Sequence, residues 1–124
     1  MPLPSKIILN IEDNFENRML IRRLLESMGY TVIEAENARQ ALDFLETGRP
    51  DLILMDINMP DVDGWSLARQ LKQNPEIRPI PIIAITANAL RGDREKTLNS
   101  GCDGYIEKPI DIDVFFDEME KYLG

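Results

Sequence analysis

Five short apolar or β-rich runs, four of them closing on a polar or charged residue and each followed by an amphipathic stretch, constrain the fold of this chain more than any other feature. Lys6 to Glu12 is the first run, ending in acids. Asp13 and Asn14 then supply cap-type residues, and from Phe15 to Met28 the residues Met19, Leu20, Leu24, Leu25 and Met28 recur at helical spacing. Gly29 stops that helix, Thr31 to Ala35 is β-rich, and Asn37 opens a second amphipathic helix through Ala41, Leu42 and Leu45 to Gly48. Asp51 to Asp56 reads as an apolar strand closing on an acid, Asn58 to Gly64 as a Pro/Gly/Asp loop, and Trp65 to Gln73 as a helix. A proline-rich connection from Asn74 to Pro81 leads to a fourth strand over Ile82 to Thr86. A fourth helix over Leu90 to Ser100, ended by Gly101, a fifth strand over Gly104 to Glu107 and a last helix over Asp111 to Leu123 complete the pattern.

Near-continuous apolar strands alternating with helices predict an α/β fold: a doubly wound parallel sheet with helices on both faces and right-handed crossovers. A closed eight-unit barrel would need about 250 residues. The 124 residues suit one core, so a single domain over 1–124 is expected, with no internal linker and no output domain. A formal charge of -8 repels phosphate backbones and anionic headgroups, which argues against direct nucleic-acid or membrane binding and for a protein partner. No apolar stretch approaches the roughly 20 residues needed to span a bilayer. The start Met1-Pro2-Leu3-Pro4-Ser5-Lys6 has no secretion-signal pattern, so a cytoplasmic location is expected. The single cysteine, Cys102, reads as a small core residue. With no histidine in the chain, proton transfer, metal ligation or phosphoryl chemistry falls to carboxylates or to a partner.

In doubly wound sheets ligands gather beyond the carboxyl ends of the strands. Those ends carry Glu12 and Asp13, Asp56, Thr86 and Lys108, which one rim would bring together. Two like charges about 4 Å apart repel by about 4 kcal/mol at an effective dielectric of 20, so converging carboxylates call for a neutralising cation. An all-oxygen donor set selects Mg²⁺, with Mn²⁺ as a substitute. Pro109 after Lys108 is a candidate cis proline, which can fix the lysine's direction at the strand end. Taken singly, these acids could be helix caps or solvent-facing strand ends; the ordered set is harder to place by chance.

The combination Glu12-Asp13-Asn14, Leu54-Met55-Asp56-Ile57-Asn58-Met59-Pro60 with Asp63-Gly64, Ile85-Thr86-Ala87 and Lys108-Pro109 resembles the response-regulator receiver family over nearly the whole chain. The resemblance implies a flavodoxin-like (βα)5 fold with strand order 2-1-3-4-5. It implies Asp56 as phosphoacceptor for a phosphohistidine donor, either a histidine kinase or a histidine phosphotransfer protein. It also implies Mg²⁺ held by Glu12, Asp13, Asp56 and the Asn58 backbone carbonyl, with Thr86 and Lys108 on the phosphoryl oxygens. A switch through Thr86 and Tyr105 would alter the face of the fourth helix, fifth strand and fifth helix, where Leu90, Arg91, Ile106 and Glu107 are candidate contacts for a downstream protein. Asn58 and Asn88 stand where relatives tune water access. Such a chain is a signalling phosphoacceptor rather than an enzyme, catalysing only its own phosphorylation and dephosphorylation. The run Asp13 to Arg18 with Leu24-Leu25 resembles receivers of hybrid kinases and phosphorelays.

Two positions depart from the family pattern. Glu12 replaces the usual aspartate, and its longer arm is expected to reach the ion through water. Asn10 stands where relatives carry an aliphatic residue; a buried amide needs a partner, so a local hydrogen-bond network or partial exposure is expected. Three rival functions remain in view. A haloacid-dehalogenase-type phosphohydrolase needs a second aspartate two residues after the nucleophile, where this chain has Asn58. A docking module without phosphorylation would not need the full residue set. A flavin carrier would need a Ser/Thr/Gly-rich loop after the first strand.

Overall fold

The computed structural model describes residues 5–59, 63–87 and 93–123, Asp93 and Arg94 by their backbone alone. Pro60, Asn88, Leu90 and Arg91 therefore lie outside the described residues. The elements run β1 (Ile7–Ile11), α1 (Phe15–Ser27), β2 (Thr31–Ala35), α2 (Ala38–Leu45), β3 (Leu52–Asp56), α3 (Gly64–Gln73), β4 (Ile82–Thr86), α4 (Asp93–Asn99), β5 (Gly104–Glu107) and α5 (Ile112–Leu123). All four strand pairings are parallel and the order is β2-β1-β3-β4-β5, as the resemblance implied.

Local chemistry sets the helix starts. The side chains of Asn14, Asn37 and Asp63 each accept a hydrogen bond from a backbone N–H in the first turn of α1, α2 and α3, satisfying donors that a helix cannot pair internally. Gly29 follows α1 at φ 88°, a left-handed conformation that turns the chain into β2. Gly64 opens α3 against the segment after β3: a Cβ there would lie 2.8 Å from Ile57 Cα. Only glycine allows the helix that close to the end of β3.

The sheet divides the apolar interior in two, as strand alternation requires. On one face Ile8, Leu52, Leu54, Ile83, Ile85 and Ile106 pack under α1 and α5, whose buried residues include Leu25 and Phe115. On the other, Leu9, Ile11, Ile53, Met55, Ile82 and Ala84 pack under α2 and α3. Cys102 is buried in this second core, as a small core residue would be. The fourth helix joins that side through Trp65 Nε1, which donates to the buried Thr97 Oγ1 at 3.0 Å.

Asn10 overturns its expectation. It is fully buried, and among the described residues neither Oδ1 nor Nδ2 has a hydrogen-bond partner, so they supply no local network, and there is no exposure. It follows Ile8 by two residues and so shares the α1/α5 face, with Leu54 beside it in register on β3 and Glu34 on β2.

Candidate functional site

Strand β1 is flanked by β2 and β3, so chain direction across the sheet reverses there and a crevice opens beyond the carboxyl ends of β1 and β3. Glu12 follows β1 and Asp56 ends β3 at that crevice. Both continue the residue parity of the α1/α5 face, Glu12 after Ile8 and Asn10, Asp56 after Leu52 and Leu54. One carboxylate oxygen from each of Glu12, Asp13 and Asp56 lies within 4.8 Å of the other two, with Glu12 and Asp56 buried and Asp13 exposed.

Asp56 is held from two sides. Its Oδ1 accepts the Asn58 backbone N–H at 2.8 Å, and its Oδ2 accepts Lys108 Nζ at 2.9 Å. The Lys108–Pro109 peptide bond is cis. Lys108 Nζ also lies 3.8 Å from Glu12 Oε1, beyond hydrogen-bond range, and among the described residues no donor reaches either Glu12 oxygen although Glu12 is only 1 % exposed.

This asymmetry splits the two buried acids. Burial, reinforced by the neighbouring Asp56, pushes the Glu12 carboxyl up to about 8, with Lys108 pulling weakly the other way. Burial also pushes Asp56 up, but a proton shared from the facing Glu12 carboxyl, the Asn58 N–H and Lys108 together outweigh it and hold Asp56 below the usual carboxylate range. The pair is thus driven apart, Asp56 toward the anion and Glu12 toward the protonated form.

The donor set fits a hard divalent cation. It is all oxygen, its spacing can close around an ion that binds oxygen at about 2.1 Å, and two of its oxygens are buried with no hydrogen-bond donor among the described residues. Fully ionised, three carboxylates and one ammonium leave two negative charges, the complement of such an ion.

Thr86 ends β4, buried to 1 % exposure. It shares residue parity with Ile82 and Ala84, on the opposite face of the sheet from Asp56. Tyr105 on β5 sits beside Ala84 in register and packs, half-buried, against that same core. Asn58 does more than present a backbone: its Oδ1 accepts the Ala87 N–H at 3.0 Å, tying the segment after β3 to the end of β4. Sequence reasoning missed this bond, and also missed Arg18, whose Nη1 donates to the backbone carbonyls of Glu12 at 3.1 Å and Asp13 at 3.0 Å. The available signal was position: Asn14 caps the helix, and Arg18 four residues on accordingly faces back toward the loop.

The family model described as the response regulator receiver domain matches residues 8–120. The chain belongs to the response regulator receiver family. Among similar proteins, the polar-differentiation response regulator DivK of Brucella anthropi is 44% identical over 119 residues, covering 96% of this chain and 97% of that protein. The receiver domain of the sensor histidine kinase PA1611 from Pseudomonas aeruginosa, solved with a magnesium ion coordinated in its active-site cleft, is 38% identical. It covers 96% of this chain and 98% of that one at a TM-score of 0.87. The chemotaxis protein CheY4 of Vibrio cholerae, at 22% identity and a TM-score of 0.90 over 97% of this chain and 100% of that one, shares the fold. The chain is thus a receiver of two-component signalling, with an acidic cluster able to hold a metal. Among the described residues, no helix is long and apolar enough to cross a membrane.

Proposed function

We propose that Asp56 takes a phosphoryl group from a phosphohistidine of a histidine kinase or histidine phosphotransfer protein, in a Mg²⁺-dependent reaction that switches a protein-binding face. The observation that carries the reading is the Asp56 carboxylate itself: ionised, oriented by the Asn58 N–H and Lys108, and flanked by two further acids within 4.8 Å. In-line transfer needs such a nucleophile, with fixed donors for the equatorial oxygens of the moving group. An oxygen of Asp56 forms the bond to phosphorus as the P–N bond to the donor imidazole breaks. Lys108 follows the charge from the carboxylate to the new phosphoryl oxygens, and the Thr86 hydroxyl at the end of β4 offers a second donor.

Glu12, Asp13, Asp56 and the Asn58 backbone carbonyl would hold Mg²⁺ or Mn²⁺, Glu12 through its longer arm by way of water. When bound, the ion supplies charge neutralisation on the transferring oxygens. Asn58 cannot act as the acid that a phosphohydrolase of the dehalogenase type requires, so the chain completes only its own phosphorylation and dephosphorylation. The reading puts the chain in the cytoplasm with its donor.

The downstream face is the groove of about 590 Å³ between α4, β5 and α5, lined among others by Leu98, Tyr105, Ile106, Val114 and Tyr122. Its support is that Tyr105 belongs both to this groove and, through the core it packs on, to the side of the sheet where Thr86 ends β4. A Thr86 hydroxyl drawn toward a phosphoryl group would change the packing that Tyr105 meets.

Incubation with acetyl phosphate, or with a phosphorylated histidine protein, tests the reading. One hydroxylamine-sensitive label per chain is expected, dependent on Mg²⁺ or Mn²⁺ and absent in Asp56→Asn. A label that persists in Asp56→Asn removes the assignment.

A further inference from the structure

We infer that Arg18 is a positioning residue for the metal site: its guanidinium fixes the backbone that aims the Glu12 and Asp13 carboxylates. The inference rests on the reading of those two acids as ligands. One nitrogen, Nη1, donates to two consecutive carbonyls, those of Glu12 and Asp13, at 3.1 and 3.0 Å. Holding both carbonyls of a dipeptide fixes the peptide planes on either side of Asp13, and with them the directions in which the two side chains leave the loop. The Glu12 N–H is tied separately to the Ala35 carbonyl at 2.9 Å. The loop is therefore braced from β2 on one side and from α1 on the other.

The guanidinium is itself braced. Nη2 lies 3.4 Å from Glu36 Oε1 and Nε lies 3.9 Å from Glu34 Oε2, both at the carboxyl end of β2. Glu34 is in turn held by Arg22 at 2.7 Å, one helical turn further along α1. The ring of Phe15, 65 % exposed, lies with its centroid 5.7 Å from the Arg18 guanidinium carbon, in cation–π range. The Arg18 side chain is only 12 % exposed, so a mobile surface arginine has become a fixed strut. Its charge is balanced by Glu34 and Glu36, which makes its influence on the site one of geometry. Groups that orient metal ligands from behind change metal affinity even though they never touch the ion.

The test is calorimetric titration of Mg²⁺ onto the full chain, at a temperature where circular dichroism shows every metal-free variant folded. Arg18→Met removes both carbonyl bonds and should weaken Mg²⁺ binding about tenfold. Arg18→Lys keeps the charge but has no second nitrogen to brace against Glu36, and should fall between wild type and Arg18→Met. Glu36→Gln removes an exposed ion pair without touching the carbonyls and should change affinity by less than about twofold. The labelling rate of Arg18→Met should recover at saturating Mg²⁺, because the nucleophile is untouched. Wild-type affinity in a folded Arg18→Met would overturn the inference, as would an equal loss in Glu36→Gln, which would make the effect one of charge. A wild-type chain that takes up no Mg²⁺ would instead remove the ligand assignment on which this inference stands.

Discussion

The two rims of the one sheet treat acids in opposite ways. At the amino ends of the strands, Asp51 Oδ2 accepts the Ile7 N–H at 2.7 Å, and Asp103 Oδ2 accepts the Ile82 N–H at 2.8 Å and Lys72 Nζ at 2.9 Å. Lys72 also reaches the carbonyls of Arg78 and Ile80, and Tyr122 donates to the Asp103 carbonyl. Each carboxylate there answers a donor that the start of a strand would otherwise leave open. At the carboxyl ends the acids face one another, and among the described residues no donor reaches the Glu12 oxygens and Asn10 lies unpartnered one step below. The first rim pairs its acids with donors, whereas the second gathers three acids into a cluster that could hold a metal ion.

The largest expected consequence is a pH dependence confined to the carboxyl-end rim. Glu12 has a folded value of about 8 against 4.5 ordinarily, so the folded state keeps a proton that the unfolded chain releases. Its contribution is fully present below pH 4.5 and is lost as pH rises through about 8. Asp56 has the opposite sign, but its window lies at and below the ordinary 3.8, outside this range. Metal-free protein should therefore lose about 1.4 kcal/mol per pH unit at the steepest, roughly 3 kcal/mol between pH 5.5 and 8. Denaturant titrations in chelator measure it, and Glu12→Gln should flatten the profile. Mg²⁺ at one hundred times its dissociation constant should restore about 2.7 kcal/mol at pH 8, and it should bind more tightly as pH rises because it competes with the Glu12 proton. A wild-type profile already flat in chelator would mean that the rim is not crowded.

The opposite rim should respond to mutation and not to metal. Asp103→Ala strips acceptors from Lys72 and from the Ile82 N–H. It should cost about 2 kcal/mol, as expected for charge-assisted bonds that are partly solvated, or roughly 8 °C in midpoint for a chain of this size. Mg²⁺ affinity and labelling should stay at wild-type values. A matching loss of Mg²⁺ affinity would show that the two rims do not act separately.

How much of this could be read from the chain follows from the same contrast. The strands Thr31–Ala35, Ile82–Thr86 and Gly104–Glu107 were predicted to the residue, because apolar runs bounded by turn residues leave little freedom. The convergence of Glu12, Asp13 and Asp56 was legible too, since parallel topology alone carries all strand ends to one rim. What was not legible depends on where long side chains lie after folding. Arg18 reaches back over a loop, Lys72 bridges to Asp103 across 31 residues, and Asn58 turns its amide oxygen toward Ala87. Hydrophobic period carries no information about such contacts. The isolation of Asn10 contradicted an otherwise sound rule, that buried amides find partners, and the contradiction falls one step from the site.

That position offers a smaller test. Asn10→Val replaces an unpartnered amide, buried between core residues, with a β-branched apolar side chain suited to a strand. Removing an unsatisfied polar group should stabilise the metal-free protein by about 1 kcal/mol. Loss of stability in this variant would mean that the amide does satisfy a need in the folded chain.

The smallest expected effect isolates the repulsion itself. Asp13 is exposed, within 4.8 Å of the two buried acids, so its charge acts on them largely through solvent. At that distance in water two unit charges repel by about 1 kcal/mol, and salt reduces this further. Asp13→Asn keeps the shape and removes the charge, so it should raise the metal-free midpoint by roughly 2 to 4 °C. Because the same charge helps to hold the ion, the variant should also gain less from Mg²⁺ than the wild type does. Opposite signs from one substitution, more stable without metal and less responsive to it, are what a rim of acids held apart for a cation requires. Melting curves of both proteins in chelator and in excess Mg²⁺ measure the two signs together. If Asp13→Asn were less stable in chelator, Asp13 would be a structural acid like Asp51 and Asp103, and the contrast between the rims would shrink to Glu12 and Asp56 alone.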